Sequence, residues 1–156
     1  MDHQSGMDVI HGIKQAYEEW CKPLCKELGM PQMAFDILMF LSVNPEFCTA
    51  RDINRYQGFK ENVLSVNVNK LVSEGYLERL SVEGDRRKVR LAITEKAQSI
   101  ITRGKQAQEE FDLLIREGIT SEELAIFAKC LHIAGENARK IRSVTSNQES
   151  RDKKHI

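Results

Sequence analysis

The stretch LVSEGYLERLSVEGDRRKVRLAITEKA, Leu71 to Ala97, decides how the rest of this chain is read. Leu71 and Val72 close an amphipathic run, and Gly75 supplies the left-handed backbone that a helix C-terminus favours. Tyr76 to Val82 is rich in apolar and β-forming residues. Val89-Arg90-Leu91-Ala92-Ile93 puts Val, Leu and Ile on one face, the period of a half-buried strand. Between them lies Glu83-Gly84-Asp85-Arg86-Arg87-Lys88, a polar turn with three adjacent cations. The predicted order is helix end, strand, basic turn, strand, helix start. A hairpin that pushes guanidinium groups into solvent just after a helix suits contact with nucleic acid.

Working upstream, a helix is predicted from about Lys60 to Glu74, preceded by a turn at Gln57-Gly58-Phe59. A short helix from Ala50 to Tyr56 comes before it, with Thr49 as N-cap. Short helix, glycine-bearing turn, second helix is the helix-turn-helix layout. Before that, Gln32 to Val43 is apolar nearly all round and should be buried. From about Met7 to Leu28, Ile10, Ile13, Tyr17, Trp20, Leu24 and Leu28 recur at three- and four-residue steps, and Pro23 should kink or break that helix. Downstream, Thr94 is expected to cap a long helix with Ala97, Ile101, Gly104, Phe111 and Leu114 inward, ended by Gly118. Thr120 and Glu123 have capping-box spacing for a last helix running to about Ile141, with Leu124, Phe127, Leu131 and Ala134 on one stripe. The expected fold is mostly α with a small antiparallel β-hairpin: a winged helix-turn-helix with N- and C-terminal dimerisation helices. The expected divisions are 1–30, an N-terminal dimerisation helix; 31–97, the winged helix-turn-helix; 98–142, C-terminal dimerisation helices; and 143–156, a disordered polar tail.

Composition narrows the function. At 156 residues, 41% hydrophobic and 29% charged, the chain can build one domain with helical extensions. No apolar run is long enough to span a bilayer and no signal peptide opens the chain, so no membrane partner and a cytoplasmic location are expected. Cys21, Cys25, Cys48 and Cys130 are scattered and are expected to be free thiols. The formal net charge is zero, yet Thr49 to Ala97 holds ten Lys or Arg against seven Asp or Glu. That asymmetry has the sign DNA binding needs.

On the predicted second helix, Leu64, Val68, Leu71 and Val72 share the inward face. The opposite face carries Asn62, Val63, Ser65 or Val66, Asn69 and Lys70. Asparagine can bond bidentately to adenine, and valine methyls can meet the thymine methyl. Lys60 and Lys70 suit phosphates, as do Arg86 and Lys88, while Thr49, Arg51 and Arg55 are placed for backbone contacts. Asp85 is positioned to orient a neighbouring arginine by a charge-assisted hydrogen bond. The apolar stripes of the terminal helices need cover, and a homodimer in which they interleave supplies it. The histidines His3, His11, His132 and His155 lack metal-ligand spacing, so neither a metal nor a cofactor is expected.

These residues resemble the MarR family of bacterial transcription regulators. The resemblance runs from about Met7 to Ile141 and is carried by Leu71 to Arg79, by Asp85-Arg86-Arg87, and by Leu91 to Lys96, with Ile93 and Ala97 replacing the family's usual Leu and Gly. It implies a homodimer with a recognition helix in the major groove and wings in adjacent minor grooves, Arg87 holding the inserting position. It further implies regulation by a small molecule, an oxidant or a metal. An effector crevice in that family would be lined here by Tyr17, Trp20, Met33 and Phe35. Redox-sensing members use an N-terminal cysteine, which points to Cys21.

The reading that follows is a repressor, not an enzyme, that binds a pseudo-palindromic operator on double-stranded DNA as a homodimer and responds to a small-molecule or redox signal. The competing readings are a winged-helix protein-interaction module without sequence-specific DNA binding, and a cysteine-based redox enzyme.

Overall fold

The structure is a computed structural model that describes residues 3–82 and 85–152, with side chains described over 6–81 and 89–141. The chain divides into two compact units, Met1–Ile115 and Arg116–Ile156.

The N-terminal unit is organised around α2 (Gln32–Val43), in which Ala34, Phe35, Ile37, Leu38, Met39, Phe40 and Leu41 are all buried. A helix apolar on every side needs neighbours on every side. Around it stand α1 (His3–Glu27), α3 (Ala50–Gln57), α4 (Glu61–Ser73) and α5 (Gln98–Ile115), and β2 also reaches it. The helix starts after Pro31, whose extended backbone (φ −61°, ψ 145°) suits the N-cap, and ends at Asn44, whose backbone and side-chain N–H groups both donate to Phe40 O. Where α5 crosses α2, Gly104 is required: a Cβ there would lie 2.4 Å from Met39 Sδ and 3.0 Å from the Phe35 ring.

Two local expectations change. Helix α1 is continuous through Pro23. The proline is exposed while Cys21 and Cys25 on either side are buried, so the carbonyl it leaves without a donor belongs to the solvent side of the helix. Thr94 makes no side-chain cap; its hydroxyl donates to Gly75 O at 2.6 Å, and a 3-10 turn, Glu95–Ala97, comes before α5. Of the residues expected inward on α5, Ala97, Ile101 and Gly104 are buried, Phe111 is half-buried, and Leu114 is exposed.

The hairpin pairs β1 (Leu77–Val82) with β2 (Asp85–Ile93), in the register Leu77 to Ile93, Arg79 to Leu91 and Ser81 to Val89. It enters from α4 through Gly75, whose φ of +75° is the left-handed conformation expected there. Strand β2 begins at Asp85 rather than Val89: Asp85 pairs with Val82 and Val89 with Ser81, so Arg86 to Lys88 lie in the strand at an irregularity of the register rather than in a turn. The pairing of Val82 with Asp85 carries the hairpin past its apolar stretch. A further bond was not anticipated: Leu91 N donates to Cys48 O at 2.7 Å, which ties the segment before α3 to the free side of β2.

The C-terminal unit is the helix α6 (Ser121–Asp152) with the short segment leading to it. Its N-terminus is the expected capping box: Thr120 N donates to Glu123 Oε2 at 2.9 Å and Glu123 N donates to Thr120 Oγ1 at 3.2 Å. These bonds hold the Glu123 carboxyl below its usual range. The helix continues well past Ile141 to Asp152, into the segment that composition assigned to a disordered tail. Neither Gly nor Pro occurs between Glu136 and Asp152, and extending an existing helix costs little. Phe127 and Leu131 are both exposed.

Candidate nucleic-acid interface

Helix α3 is fixed at its start by a full capping box. Asp52 N donates to Thr49 Oγ1 at 3.1 Å, Thr49 N donates to Asp52 Oδ2 at 3.0 Å, and the Thr49 hydroxyl donates to the same carboxylate at 2.6 Å. Thr49 is therefore committed to the helix end, whereas Arg51 and Arg55 are exposed. The turn to α4 is closed by Asn54, whose side chain donates to Phe59 O at 2.8 Å. Lys60 stands at the N-cap of α4, exposed.

Helix α4 has two unlike faces. Leu64, Val68 and Leu71 are buried, with Val72 packed against the core. Asn62, Val63, Ser65, Val66, Asn69 and Lys70 are all exposed, so the structure brings the predicted reading residues onto one solvent face. Val66 is 67% exposed, a large apolar residue with no role in the core. Lys70 pairs with Glu74 one turn on at 3.8 Å. The polar side chains are not equivalent. Asn62 Oδ1 accepts from Val63 N at 2.9 Å. Asn67 is half-buried and turned toward α2, donating to Val63 O at 2.9 Å and to Met33 Sδ at 3.4 Å. Asn69 Oδ1 accepts from Arg79 Nη2 at 2.6 Å.

The backbones of Asp85, Arg86, Arg87 and Lys88 run in β2 immediately beyond the hairpin connection. Their side chains, and the connection Glu83-Gly84, lie outside the described residues. Two hairpin arginines had no assigned role in the sequence. Arg79 reaches α4 as above, and Arg90 Nε donates to Cys48 Sγ at 3.0 Å. Strand alternation could have marked Arg79: it falls between Leu77 and Ser81, on the face where Leu77 is buried and opposite the buried Leu91.

Among the described residues, the four expected around an effector are not brought together in one groove. Phe35 is fully buried in the core, and Met33 faces Asn67. Trp20 donates from Nε1 to Ala107 O at 2.9 Å, beside a groove of about 460 Å³ that Arg103 and Glu27, paired at 2.6 Å, also line. Tyr17 lines a different groove, of about 430 Å³, with Ile10, Ile13, Lys14, Gln108, Phe111 and Asp112. Its hydroxyl accepts from Gln108 Nε2 at 2.8 Å and its ring meets Phe111 edge-on, centroids 5.4 Å apart.

Behind Tyr17 is a chain of polar groups. Cys25 Sγ donates to Gln32 Oε1 at 3.3 Å, and Gln32 Nε2 donates to Asp36 Oδ1 at 2.9 Å. Burial pushes the Asp36 carboxyl up to about 6, against the opposing bond from Gln32. Burial also pushes the Cys25 thiol up to about 11, and raises the Cys21 thiol and the Tyr17 phenol. Cys21 is wholly inaccessible. A sensing thiol needs access and a depressed pKa, and Cys21 has neither. Cys48 is buried too, and Cys130 is exposed; all four cysteines are free. Among the described residues no group of three His, Cys, Asp or Glu could hold a metal ion, and no helix is long and apolar enough to cross a membrane.

This geometry has relatives. Residues 28–88, from the end of α1 through the first residues of β2, match the MarR family. The HTH-type transcriptional regulator BilQ of Clostridioides difficile (strain CD3) is 18% identical over 133 residues, 85% of this chain and 89% of that protein. A MarR transcriptional regulator from Methanosarcina mazei Go1 shares the fold with a TM-score of 0.75 at 22% identity, covering 88% of this chain and 99% of that one. A MarR family transcriptional regulator from Listeria monocytogenes, solved in complex with 26mer DNA, does so with a TM-score of 0.75 at 18% identity, covering 88% and 89%. The matched segment holds the helix-turn-helix and the architecture is shared along most of the chain: residues 28–88 are similar to the MarR family, and the chain has the fold of the solved MarR regulators.

Proposed function

We propose that the protein is a homodimeric repressor that reads a pseudo-palindromic operator with α4 in the major groove. The observation that carries this is the division of α4 into a core face and an exposed face of Asn62, Val63, Ser65, Val66, Asn69 and Lys70. Donors, acceptors and methyl groups together are what base edges in that groove can engage. Arg51 and Lys60 bind phosphates and set the register, and the Thr49 cap holds α3 in place for them. From the hairpin, Arg87 enters the minor groove, Arg86 and Lys88 take phosphates, and Asp85 orients a neighbouring arginine. The Listeria relative, solved on DNA with the same fold, supports this reading.

Dimerisation is supported in each unit separately. Met7, Ile10 and Ile13 on α1 and Leu113, Leu114 and Ile115 at the end of α5 are exposed, as are Ile126, Phe127 and Leu131 on α6. A second copy offers each of these faces cover, and two reading heads then meet half-sites about one helical turn apart, roughly 34 Å. The groove lined by Tyr17, Gln108 and Phe111 takes a small-molecule effector, which acts by binding more tightly to a dimer whose heads are wrongly spaced.

A gel shift on DNA upstream of the protein's own gene, against excess random duplex, tests the reading. Retarded complexes that survive the competitor are expected. Arg87→Ala should weaken them, and the dependence of log K on log salt should become shallower as phosphate contacts are lost. Equal binding to operator and competitor leaves a protein-interaction module as the better account.

A further inference from the structure

Of three asparagines on α4, Asn67 is turned toward α2 and Asn69 is bonded to the hairpin. Asn69 lies on the exposed face, and its Oδ1 accepts a 2.6 Å bond from Arg79 Nη2 on β1. A guanidinium donating to a carboxamide oxygen is a charge-assisted bond, short and strong for its kind. Arg79 arrives there because strand alternation puts it on the inward face of the hairpin, two residues from buried Leu77 and paired with buried Leu91. Where a leucine would fill core, the longer side chain instead spans to the recognition helix.

The bond changes what Asn69 can read. An asparagine that selects adenine uses its oxygen to accept from N6–H2 and its NH2 to donate to N7. With the Asn69 oxygen held by a cation, the group left for DNA is the NH2, a donor. The neighbouring guanidinium adds further N–H donors and a positive charge, which repels the N6–H2 edge of adenine and attracts the O6 and N7 acceptors of guanine. We propose that Arg79 and Asn69 form one donor-only recognition unit that selects guanine at one position of each half-site. Asn69 touches the base, and Arg79 is the positioning residue that sets its polarity. The proposal rests on the reading of α4 as the element that enters the major groove.

The test is selection from a random duplex library with the full-length protein, its variants being checked for folding by thermal melting. The parent should enrich a motif with guanine at one position per half-site. Asn69→Ala should level that position by about ten-fold in base preference and leave the others unchanged. Arg79→Ala should move the same position toward adenine, because the freed oxygen can accept again. A merely structural role for Arg79 would weaken every sequence alike. Asn69→Asp keeps an acceptor for Arg79 but loses the donor, so it should lose the guanine preference with the hairpin tether intact; it decides the matter if Arg79→Ala does not fold. An unchanged motif in Arg79→Ala, or in Asn69→Asp, overturns the proposal while leaving DNA recognition standing. A parent that enriches no motif overturns DNA recognition itself and the proposal with it.

Discussion

The two units of this protein differ in where their apolar side chains go. Every buried apolar residue among those described, from Cys21 to Ile101, belongs to the N-terminal unit. In the C-terminal unit Ile119, Ile126, Phe127, Leu131, Ile133 and Ile141 are all exposed. The first unit draws its stability from its own core. The second is a long helix with a short lead-in, and single helices in water are marginal without packing. The difference separates folding from association: the buried side chains of the N-terminal unit should act on folding, and the exposed ones of either unit on association.

Phe35→Ala should have the largest effect. It removes a fully buried ring at the crossing of α2 and α5 and should cost about 3–5 kcal/mol in denaturant unfolding. Its counterpart, Phe127→Ala, should leave the unfolding of the N-terminal unit unmoved and weaken self-association by about 1.5–3 kcal/mol, read by sedimentation equilibrium. Phe127 variants that associate like the parent would break the contrast.

Asp36 has a carboxyl raised from 3.8 to about 6 by burial, so at intermediate pH the folded chain binds more protons than the unfolded one. Stability must then fall as pH rises between these values, by on the order of 2–3 kcal/mol from this group. Unfolding followed from pH 4 to 7 should show Asp36→Asn losing that slope and being the more stable of the two at neutral pH. Parallel profiles would show that water reaches the carboxyl.

The smallest effects compare two caps of the same design. Thr49→Ala should cost about 1 kcal/mol of global stability, because α3 is locked into the core through Ile53. Thr120→Ala should cost about 0.5 kcal/mol and show as fraying of α6 in circular dichroism rather than as a shift in core unfolding.

Much of this was legible in the chain. The span Gln32–Val43 came from an apolar run with punctuation at both ends, and the inward face of α4 came from period alone. Both are local signals. The failures share a cause in tertiary geometry. Pro23 is expected to kink or break α1, and no break occurs, because the proline lies on the exposed side of the helix. Thr94 had the chemistry of a cap, and its hydroxyl found the Gly75 carbonyl instead. Asp85 to Lys88 look like turn residues, but Asp85 pairs with Val82 and the three cations fall at an irregularity inside the strand. The Asn69–Arg79 bond needed both the hairpin register and the rotation of α4, and neither is carried by one segment. The crevice residues scattered because helical spacing reports a shared stripe, not a shared cavity.

Ser65 and Val66 contribute nothing to the interior, so exchanging them leaves folding almost untouched. On the proposed reading of α4, a lineage carrying this scaffold can therefore try new targets one residue at a time, with drift constrained mainly where a side chain is tethered, at Asn67 and Asn69. Divergence in what such proteins control should run ahead of divergence in how they fold.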